Sequence, residues 1–298
     1  MRICKKHLLW ASCIIALGSF YLFWTYLSSS SIKQEVSFTP AEKECFSGGK
    51  NAAWRTCIYT SVNGSNGGIA YHLHGRNLDE TVWNDRDYYT SLIQQYWANR
   101  NVKPPKVVSV TFGPVWLFAP SSNSDADLAN IFKNEVIAEV EKRTGKPTYR
   151  TLFGESMGGL NSLVLGLKTK GLFNKIASLC PPLYKESPFS GFSNIRAFLE
   201  RTGAEPRTIL GILALGKKYM RGEEDWKEFS PIEILDHIDI SKTPKIYLSC
   251  GLYDKYGNFE GADFFVKKAS KMGMKIDWRP LYGGHCAVDV ASVAEFLL

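Results

Sequence analysis

The fold of this chain is decided by the stretch Gly154-Glu155-Ser156-Met157-Gly158-Gly159, which lies between a strand-like run at 149–153 and a helix-like run. It matches Gly-x-Ser-x-Gly, a sharp strand-to-helix turn that raises a nucleophilic serine above a sheet. Gly154 and Gly158 are small enough for the helix to pack back onto the strand. The turn also directs the first amides of the helix at the group that Ser156 attacks. An ordinary glycine-rich turn fits the same residues, so the choice between the two depends on whether the rest of the chain supplies partners for the serine.

The partners of such a serine follow it in the chain order Ser, Asp or Glu, His. An apolar run at 245–251 predicts a buried strand that ends shortly before Asp254. A second strand, predicted at 276–282, leads into Gly283-Gly284-His285, and a helix is predicted between the two strands at 259–272. Because parallel strands end at the same sheet edge, we expect the aspartate and the histidine to meet the serine there.

We predict that His285 takes the Ser156 proton during attack and returns it to the leaving group, while Asp254 fixes the tautomer of the ring. Taken alone, an aspartate after a strand also fits a turn or a helix cap, and a lone histidine also fits a packed residue. Of the five histidines, His285 is the one with both the chain order and the strand context. Asp263 is the alternative acid, although it falls inside a predicted helix.

An oxyanion hole needs two backbone donors, and the loss of one costs roughly 10²–10³ in rate. We assign one donor to the amide of Met157, which follows the nucleophile, and the other to the amide of Arg76, after a strand predicted at 67–73. Gly75 is the alternative for the second donor. In this arrangement His74 organises the loop and does not act as a base.

Strands alternate with helices along the chain, which predicts an α/β fold with a mostly parallel central sheet and helices on both faces. The strands predicted at 53–61 and 67–73 are expected to pair as a hairpin across the turn at 63–66. Further strands are predicted at 106–112 and 175–180, and further helices at 87–99 and 125–144.

We expect a small cap insertion at about 187–229, where glycines, prolines and aromatic residues surround two short helical patterns. Five aromatic side chains are candidates for lining an acyl or aromatic pocket, although each also fits plain helix packing. They are Phe189, Phe192, Phe198, Trp226 and, from another loop, Trp116.

The chain resembles the α/β-hydrolase superfamily, in particular the bacterial esterases related to esterase D, feruloyl esterases and mycolyltransferases. The resemblance is carried by Leu73-His74-Gly75, by Asn134-Glu135-Val136-Ile137, by the serine motif and by Cys250-Gly251-Leu252-Tyr253-Asp254, and it covers residues 50–298 apart from a divergent stretch around 188–228. It implies hydrolysis or transfer of an acyl group through a serine ester, without a metal or organic cofactor. It also implies that nucleophile, acid, base and one oxyanion donor are Ser156, Asp254, His285 and the Met157 amide.

Residues 1–30 predict a signal-anchor or a signal peptide. Arg2, Lys5 and Lys6 precede an uncharged apolar run at 8–27, which is long enough for one helix to cross a bilayer. The basic residues favour the cytoplasmic side, so the rest of the chain is expected outside. Cleavage in the serine cluster that follows is the alternative, and both readings export residues 45–298, the predicted catalytic domain.

A polar stretch at 31–44 predicts a linker between the membrane segment and the catalytic domain. The formal net charge is +7, and it falls to +4 (7 minus 3) without Arg2, Lys5 and Lys6. This charge is mild and interleaved, so we expect no nucleic-acid partner. Export permits disulfides, and we expect the pairs Cys45–Cys57 and Cys250–Cys286, although spacing does not fix connectivity. No cysteine or histidine spacing predicts a metal site.

Three functions remain open at this point. The chain is expected to be a serine hydrolase of carboxylic esters, an acyltransferase that uses the same acyl-enzyme, or a non-catalytic cell-surface protein on a hydrolase fold. The intact set of Ser156, Asp254 and His285 favours the first. The expected substrate is a small-molecule, lipid or polysaccharide ester, whose acyl and alcohol groups the sequence does not determine.

Overall fold

The central sheet of the protein has eight strands. The computed structural model describes residues 38–49, 53–115 and 127–298. The strands are β1 (Glu42–Gly48), β2 (Trp54–Thr60), β3 (Ile69–Leu73), β4 (Lys106–Thr111), β5 (Arg150–Glu155), β6 (Lys175–Leu179), β7 (Lys245–Gly251) and β8 (Ile276–Leu281). Their order across the sheet is β1-β2-β4-β3-β5-β6-β7-β8.

The first two pairings of the sheet, β1–β2 and β2–β4, are antiparallel, and the other five are parallel. The predicted hairpin between β2 and β3 is therefore wrong. The expected turn exists, since the Gly64 amide donates to the Ser61 carbonyl, but β4 occupies the space between the two strands. All residues of β3 are buried, and β3 has a parallel neighbour on each side. Such a strand is stable only inside the sheet.

The helices lie between the strands or after the last one. They are α1 (Tyr89–Asn99), α2 (Leu128–Ile131), α3 (Ile137–Thr144), α4 (Met157–Lys168), α5 (Phe192–Thr202), α6 (Pro206–Tyr219), α7 (Glu223–Phe229), α8 (Pro231–Ile234), α9 (Asn258–Lys271) and α10 (Val290–Leu297). A π-helical turn, Phe132–Val136, joins α2 to α3, and short 3₁₀ segments lie at Val82–Asn84, Leu235–His237 and Ile240–Lys242.

Helices cover both faces of the sheet, as predicted. Successive residues of a strand point to opposite faces. On β7, Tyr247 packs into the core that contains residues of α1 and α10, whereas Ile246 and Leu248 pack into the core that contains residues of α4 and α9. On β5, Phe153 packs into the same core as Tyr247, whereas its neighbour Leu152 packs into a different one. Each fully buried side chain of this kind contributes about 1.5–3 kcal/mol to folding.

The segment between β6 and β7 holds α5, α6 and α7, where the cap insertion is predicted. A small core of its own contains Phe198, Ala204 and Ile209. The sheet begins earlier than expected, because β1 starts at Glu42 and pairs with β2, so residues 42–44 of the predicted 31–44 linker belong to the sheet. Phe38 is the first described residue of a compact unit that continues to Leu298.

The predicted signal-anchor at 1–30 lies outside the described residues. Within the described ranges, no helix combines the length and the apolar character needed to cross a membrane.

Candidate active site

Ser156 lies on the sharp turn between β5 and α4, with φ 53° and ψ −118°. A non-glycine residue in this region carries about 1–3 kcal/mol of backbone strain, which the surrounding contacts must offset. The Ser156 amide donates to the Leu179 carbonyl of β6 at 2.9 Å. A Cβ atom at Gly154 or Gly158 would overlap the carbonyl oxygen of Leu73 on β3. The two glycines therefore let the elbow pack directly against its neighbouring strand.

Three side chains that are distant in the sequence form one hydrogen-bonded row. The Nε2 atom of His285 lies 3.1 Å from the Ser156 hydroxyl oxygen, and the Nδ1 atom of His285 lies 2.8 Å from Oδ2 of Asp254. Because a carboxylate only accepts, Nδ1 carries the hydrogen and Nε2 is left to accept from the hydroxyl. The His285 side chain is 22% exposed and that of Asp254 is fully buried.

Three nitrogen donors form hydrogen bonds to Asp254 and fix its carboxylate. Besides the His285 ring, the Tyr256 amide donates to Oδ1 at 2.8 Å and the Asn258 side-chain amide donates to Oδ2 at 3.3 Å. Sequence reasoning missed Asn258, which is the first residue of α9, four residues after the aspartate. The alternative acid, Asp263, forms a surface ion pair with Lys267 instead.

The cleft at Ser156 has a volume of about 300 Å³. Arg76, Met157 and His285 line it together with the serine. The Gly75 amide donates to Oε1 of Glu155 at 2.7 Å and is therefore engaged. Among the described residues, no acceptor takes the Arg76 amide. Of the two alternatives for the second oxyanion donor, Arg76 is thus the one whose N–H is unengaged.

His74 fixes the loop that carries these amides. Its Nδ1 atom donates to the Gly75 carbonyl at 2.7 Å, and Nε2 lies 2.7 Å from the Thr111 hydroxyl. Burial lowers the pKa of the His74 imidazole below its ordinary value, which keeps the ring neutral near pH 7. Both ring nitrogens are occupied, so His74 has no nitrogen available for Ser156.

A family model described as "Putative esterase" matches residues 62–279. This match spans more than half of the chain and contains Ser156, Asp254 and the Arg76 loop. The chain belongs to this esterase family. It is a carboxylic ester hydrolase, and of the three functions left open by the sequence, ester hydrolysis is the one that the family carries. No curated protein matches the chain by sequence.

Solved structures of other esterases have the same fold. An esterase from Pyrobaculum calidifontis is 15% identical, with a TM-score of 0.62 and coverage of 89% of this chain and 87% of that chain. A ferulic acid esterase is 15% identical, with a TM-score of 0.61 and coverage of 86% and 95%. An S-formylglutathione hydrolase from Agrobacterium tumefaciens is 13% identical, with a TM-score of 0.54 and coverage of 89% and 95%. These similarities confirm the predicted α/β-hydrolase fold.

The esterase contains a second histidine–carboxylate pair that sequence reasoning missed. Glu155, directly before the nucleophile, is buried, and its Oε2 atom lies 2.9 Å from Nε2 of His72, which is also fully buried. The Tyr89 hydroxyl donates to the same oxygen at 2.8 Å, while Oε1 accepts from the Gly75 amide. One carboxylate therefore connects the elbow to the oxyanion loop.

The hydrogen bonds around Glu155 decide its charge. Burial by itself raises the pKa of a carboxyl group. Here the His72 ring, the Gly75 amide and the Tyr89 hydroxyl outweigh that effect and hold the pKa of Glu155 below its usual value. The group is thus an ionised carboxylate inside the core. One signal of this pair was present in the sequence: Glu155 is a charged residue at a position that the elbow must bury.

Cys45 and Cys57 form a disulfide, as predicted. The predicted Cys250–Cys286 pair is wrong, because Cys286 is bonded to Cys180 and Cys250 is a free, buried thiol. Cys250 lies at the end of β7 with its sulfur 3.8 Å from the Asp254 carboxylate. Burial, followed by that carboxylate, raises the pKa of the Cys250 thiol, which therefore stays protonated.

One group of possible metal ligands occurs among the described residues, formed by Cys180, His285 and Cys286. Its two sulfur atoms are bonded to each other, whereas zinc and other soft metals bind thiolates. The group therefore belongs to the disulfide and not to a metal site.

The four described aromatic residues that were predicted to line an acyl pocket do not line the serine cleft. Phe198 and Trp226 line a separate apolar cavity of about 30 Å³ beneath α6, which is too small for an acyl chain. Phe192 points outward with 83% of its surface exposed, and Phe189 packs against the core. Trp116 lies outside the described residues. The aliphatic wall of the serine cleft comes instead from five other residues: Leu78, Met157, Pro182, Ile212 and Leu215.

Proposed function

We propose that the esterase cleaves carboxylic esters through an acyl-enzyme on Ser156, with His285 as the base and Asp254 as its orienting acid. The observation that carries this proposal is the row of hydrogen bonds from Asp254 through His285 to Ser156, at 2.8 and 3.1 Å. The row ends on a hydroxyl that faces a cleft large enough for a small ester.

In the first half-reaction, Nε2 of His285 removes the proton as the Ser156 oxygen attacks the ester carbonyl. The carbonyl oxygen becomes negative and is stabilised by the amides of Met157 and Arg76. Asp254 stabilises the imidazolium that forms. The tetrahedral intermediate then expels the alcohol oxygen, which takes the proton from Nε2, and the acyl group stays on Ser156.

In the second half-reaction, a water molecule takes the place of the alcohol. His285 removes a proton from the water as it attacks the acyl carbon, and the same two amides stabilise the new oxyanion. The intermediate releases the carboxylic acid, and the Ser156 oxygen regains its proton from His285. The enzyme returns to its starting state without any other reactant.

The test of this proposal compares Ser156→Ala with Ser162→Ala. Ser162 lies on α4, directly after the turn that carries Ser156, and is buried, so its replacement removes a hydroxyl that is not part of the row. With p-nitrophenyl acetate, we expect Ser156→Ala to lose turnover by about 10⁴-fold or more and Ser162→Ala to keep it. Wild-type enzyme quenched in acid should carry an acetyl group on the peptide with Ser156. Full activity of a folded Ser156→Ala variant would refute the proposal.

We also propose that the catalytic domain acts outside the cytoplasm, joined to the membrane by its N-terminal segment. Arg2, Lys5 and Lys6 before the apolar run at 8–27 support this orientation. Two disulfides in the domain are typical of an oxidising compartment. Fractionation of cells that express the full chain should find it in the membrane, with the domain open to added protease in cells whose outer layers are permeabilised. Recovery from the soluble cytoplasm would contradict this.

A further inference from the structure

The loop that carries His285 joins β8 to α10. Among the described residues, backbone hydrogen bonds to other elements fix this loop before the histidine but not after it. Before the histidine, the amides of Leu252 and Tyr253 donate to the carbonyls of Leu281 and Gly283, both at 2.9 Å. After it, within the described residues, no backbone hydrogen bond joins 285–288 to another element. The covalent link at Cys286 is therefore the strongest restraint on this side of the ring.

The other end of that link is rigid. Cys180 follows β6 and is fully buried, and its amide donates to the Ser249 carbonyl of β7 at 2.7 Å. The residue before it, Leu179, accepts the amide of Ser156 at 2.9 Å. The disulfide thus joins the loop of the base to the stretch of backbone that holds the nucleophile.

These contacts close a ring. It runs from Ser156 through Leu179, Cys180 and Cys286 to His285, and the 3.1 Å hydrogen bond from His285 back to Ser156 completes it. Opening the ring at the sulfur atoms leaves the distance between base and nucleophile to the backbone hydrogen bonds before His285 and to the side-chain bond with Asp254. A displacement of about 1 Å at such a site costs up to about 10²-fold in rate.

The backbone conformation of the two cysteines also indicates that the disulfide holds the His285 loop in place. Cys180 has φ 43° and Cys286 has φ 56°, in the left-handed region that costs a non-glycine residue about 1–2 kcal/mol. Such conformations persist when the surroundings fix them. Cys180 has the sheet as a further restraint, whereas Cys286 depends on the sulfur bond. Without that bond, Cys286 is free to relax and to carry the adjacent His285 with it.

From these contacts we propose that the Cys180–Cys286 disulfide is a positioning element for His285, so that its reduction lowers kcat without unfolding the esterase. The proposal rests on the proposed function, because it takes His285 as the base. Cys286 lines the cleft and is partly exposed, so it is the sulfur open to attack.

The reduction is a thiol–disulfide exchange with an added dithiol. A thiolate of the dithiol attacks the Cys286 sulfur, and Cys180 leaves as a thiolate that takes up a proton. The second thiol of the reagent then displaces Cys286, which also takes up a proton. Two electrons pass to the protein, and the dithiol ends as a disulfide.

The other disulfide provides a matched control. Cys45 and Cys57 are directly opposite each other on β1 and β2, at the end of the sheet order remote from β6, β7 and β8. Removing this bond affects stability, and three strands, β4, β3 and β5, lie between β2 and the strand that leads to Cys180. In the full-length Cys45→Ser/Cys57→Ser variant, Cys180–Cys286 is the disulfide that remains among the described residues.

The experiment reduces this variant stepwise with dithiothreitol. At each step, alkylation and peptide mapping give the reduced fraction at Cys180 and Cys286, while kcat, KM and far-UV circular dichroism are measured in parallel. We expect kcat to fall with the reduced fraction, by about 10- to 100-fold at completion. KM should change less than about twofold, and reoxidation should restore kcat. A Cys180→Ser/Cys286→Ser variant should show the low kcat without reductant.

Three outcomes would overturn the proposal. If kcat is unchanged when Cys180 and Cys286 are fully reduced, the disulfide does not position the base. If circular dichroism is lost together with kcat, the disulfide only stabilises the fold. If a fluorophosphonate fails to label Ser156 even in the oxidised enzyme, the proposed function itself fails, which distinguishes that case from the first two.

Discussion

Two histidine–carboxylate pairs flank Ser156, and their geometry is nearly the same. His285 and Asp254 are joined at 2.8 Å, and His72 and Glu155 at 2.9 Å. The difference lies in the second nitrogen of each ring. In His285 it faces the nucleophile across 3.1 Å and the ring is 22% exposed. In His72 it is bonded to a serine hydroxyl on β4 and the ring has no exposed surface.

This comparison shows that a short bond to a carboxylate does not make a histidine a base. The ring also needs a nitrogen directed at the nucleophile and a cleft through which the substrate can reach it. His285 has both because it lies on a loop beyond β8. His72 has neither because it lies within β3, between two parallel neighbours. The first pair is suited to moving a proton, and the second to holding the elbow and the oxyanion loop together.

Replacing each histidine by glutamine should give the largest difference in kcat/KM between the two pairs. His285→Gln should lower kcat/KM for p-nitrophenyl acetate by about 10⁶-fold, because His285 is, among the described residues, the histidine whose ring contacts the Ser156 hydroxyl. His72→Gln should keep kcat/KM within about tenfold of wild type and instead lower the free energy of unfolding by about 3–5 kcal/mol, since it leaves Glu155 buried without its partner. Equal losses of activity in two folded variants would remove the distinction.

The next effect separates the two carboxylates. Asp254→Asn should lower kcat by about 10⁴-fold, because an amide can donate to Nδ1 and so favour the wrong tautomer of His285. The stability of this variant should stay near that of wild type, as the Tyr256 amide keeps an acceptor. Steady-state kinetics at saturating substrate measures the loss. Recovery of wild-type kcat would show that Asp254 does not orient the ring.

Glu155→Gln is expected to affect stability more than rate. The variant should lose about 3 kcal/mol in the free energy of unfolding, since a neutral amide replaces the buried carboxylate that is hydrogen-bonded to His72, Tyr89 and the Gly75 amide. Its kcat should fall about tenfold, because the Gly75 amide and hence the Arg76 loop are held less firmly. Glu200→Gln is the matched control, as it breaks an exposed pair with Arg196 that contributes less than about 0.5 kcal/mol. Chemical denaturation followed by fluorescence measures both.

A smaller effect depends on pH. The pKa of His74 is lowered from 6.5 in the folded state, so below pH 6.5 the unfolded chain binds a proton that the folded chain does not. Stability from this group is therefore complete above pH 6.5 and declines as pH falls toward the folded pKa. The decline approaches about 1.4 kcal/mol per pH unit. His74→Gln should flatten the wild-type curve in this window, and an unchanged slope would assign the dependence to other groups.

Much of the fold followed from local pattern. The glycines of the motif at 154–159 specify the elbow because only they fit against β3, and the apolar run at 245–251 corresponds to β7 residue for residue. The chain order of serine, acid and base gave the three side chains that form the row. These features depend on spacing within short segments, which a sequence displays directly.

The features that were missed depend on contacts between distant segments. His72 meets Glu155 because β3 lies beside β5, and nothing local at residue 72 indicates that neighbour. The β2–β3 hairpin was predicted from the turn-forming residues 63–66 between the two strands, but β4 lies between them in the sheet. Cys286 is bonded to Cys180 and not to Cys250 because the residue that follows β6 lies beside the loop. The order of the strands in the sheet determines all three features, and the hydrophobic periodicity of a sequence does not reveal that order.

The most direct test of the account is the rate at which a fluorophosphonate labels Ser156 in wild-type, His72→Gln and His285→Gln enzymes, followed by mass spectrometry of the peptide that contains the serine. We expect rapid labelling of the first two at rates within about tenfold of each other and almost none of the third. Rapid labelling of folded His285→Gln, or labelling of a different serine in the wild type, would contradict it.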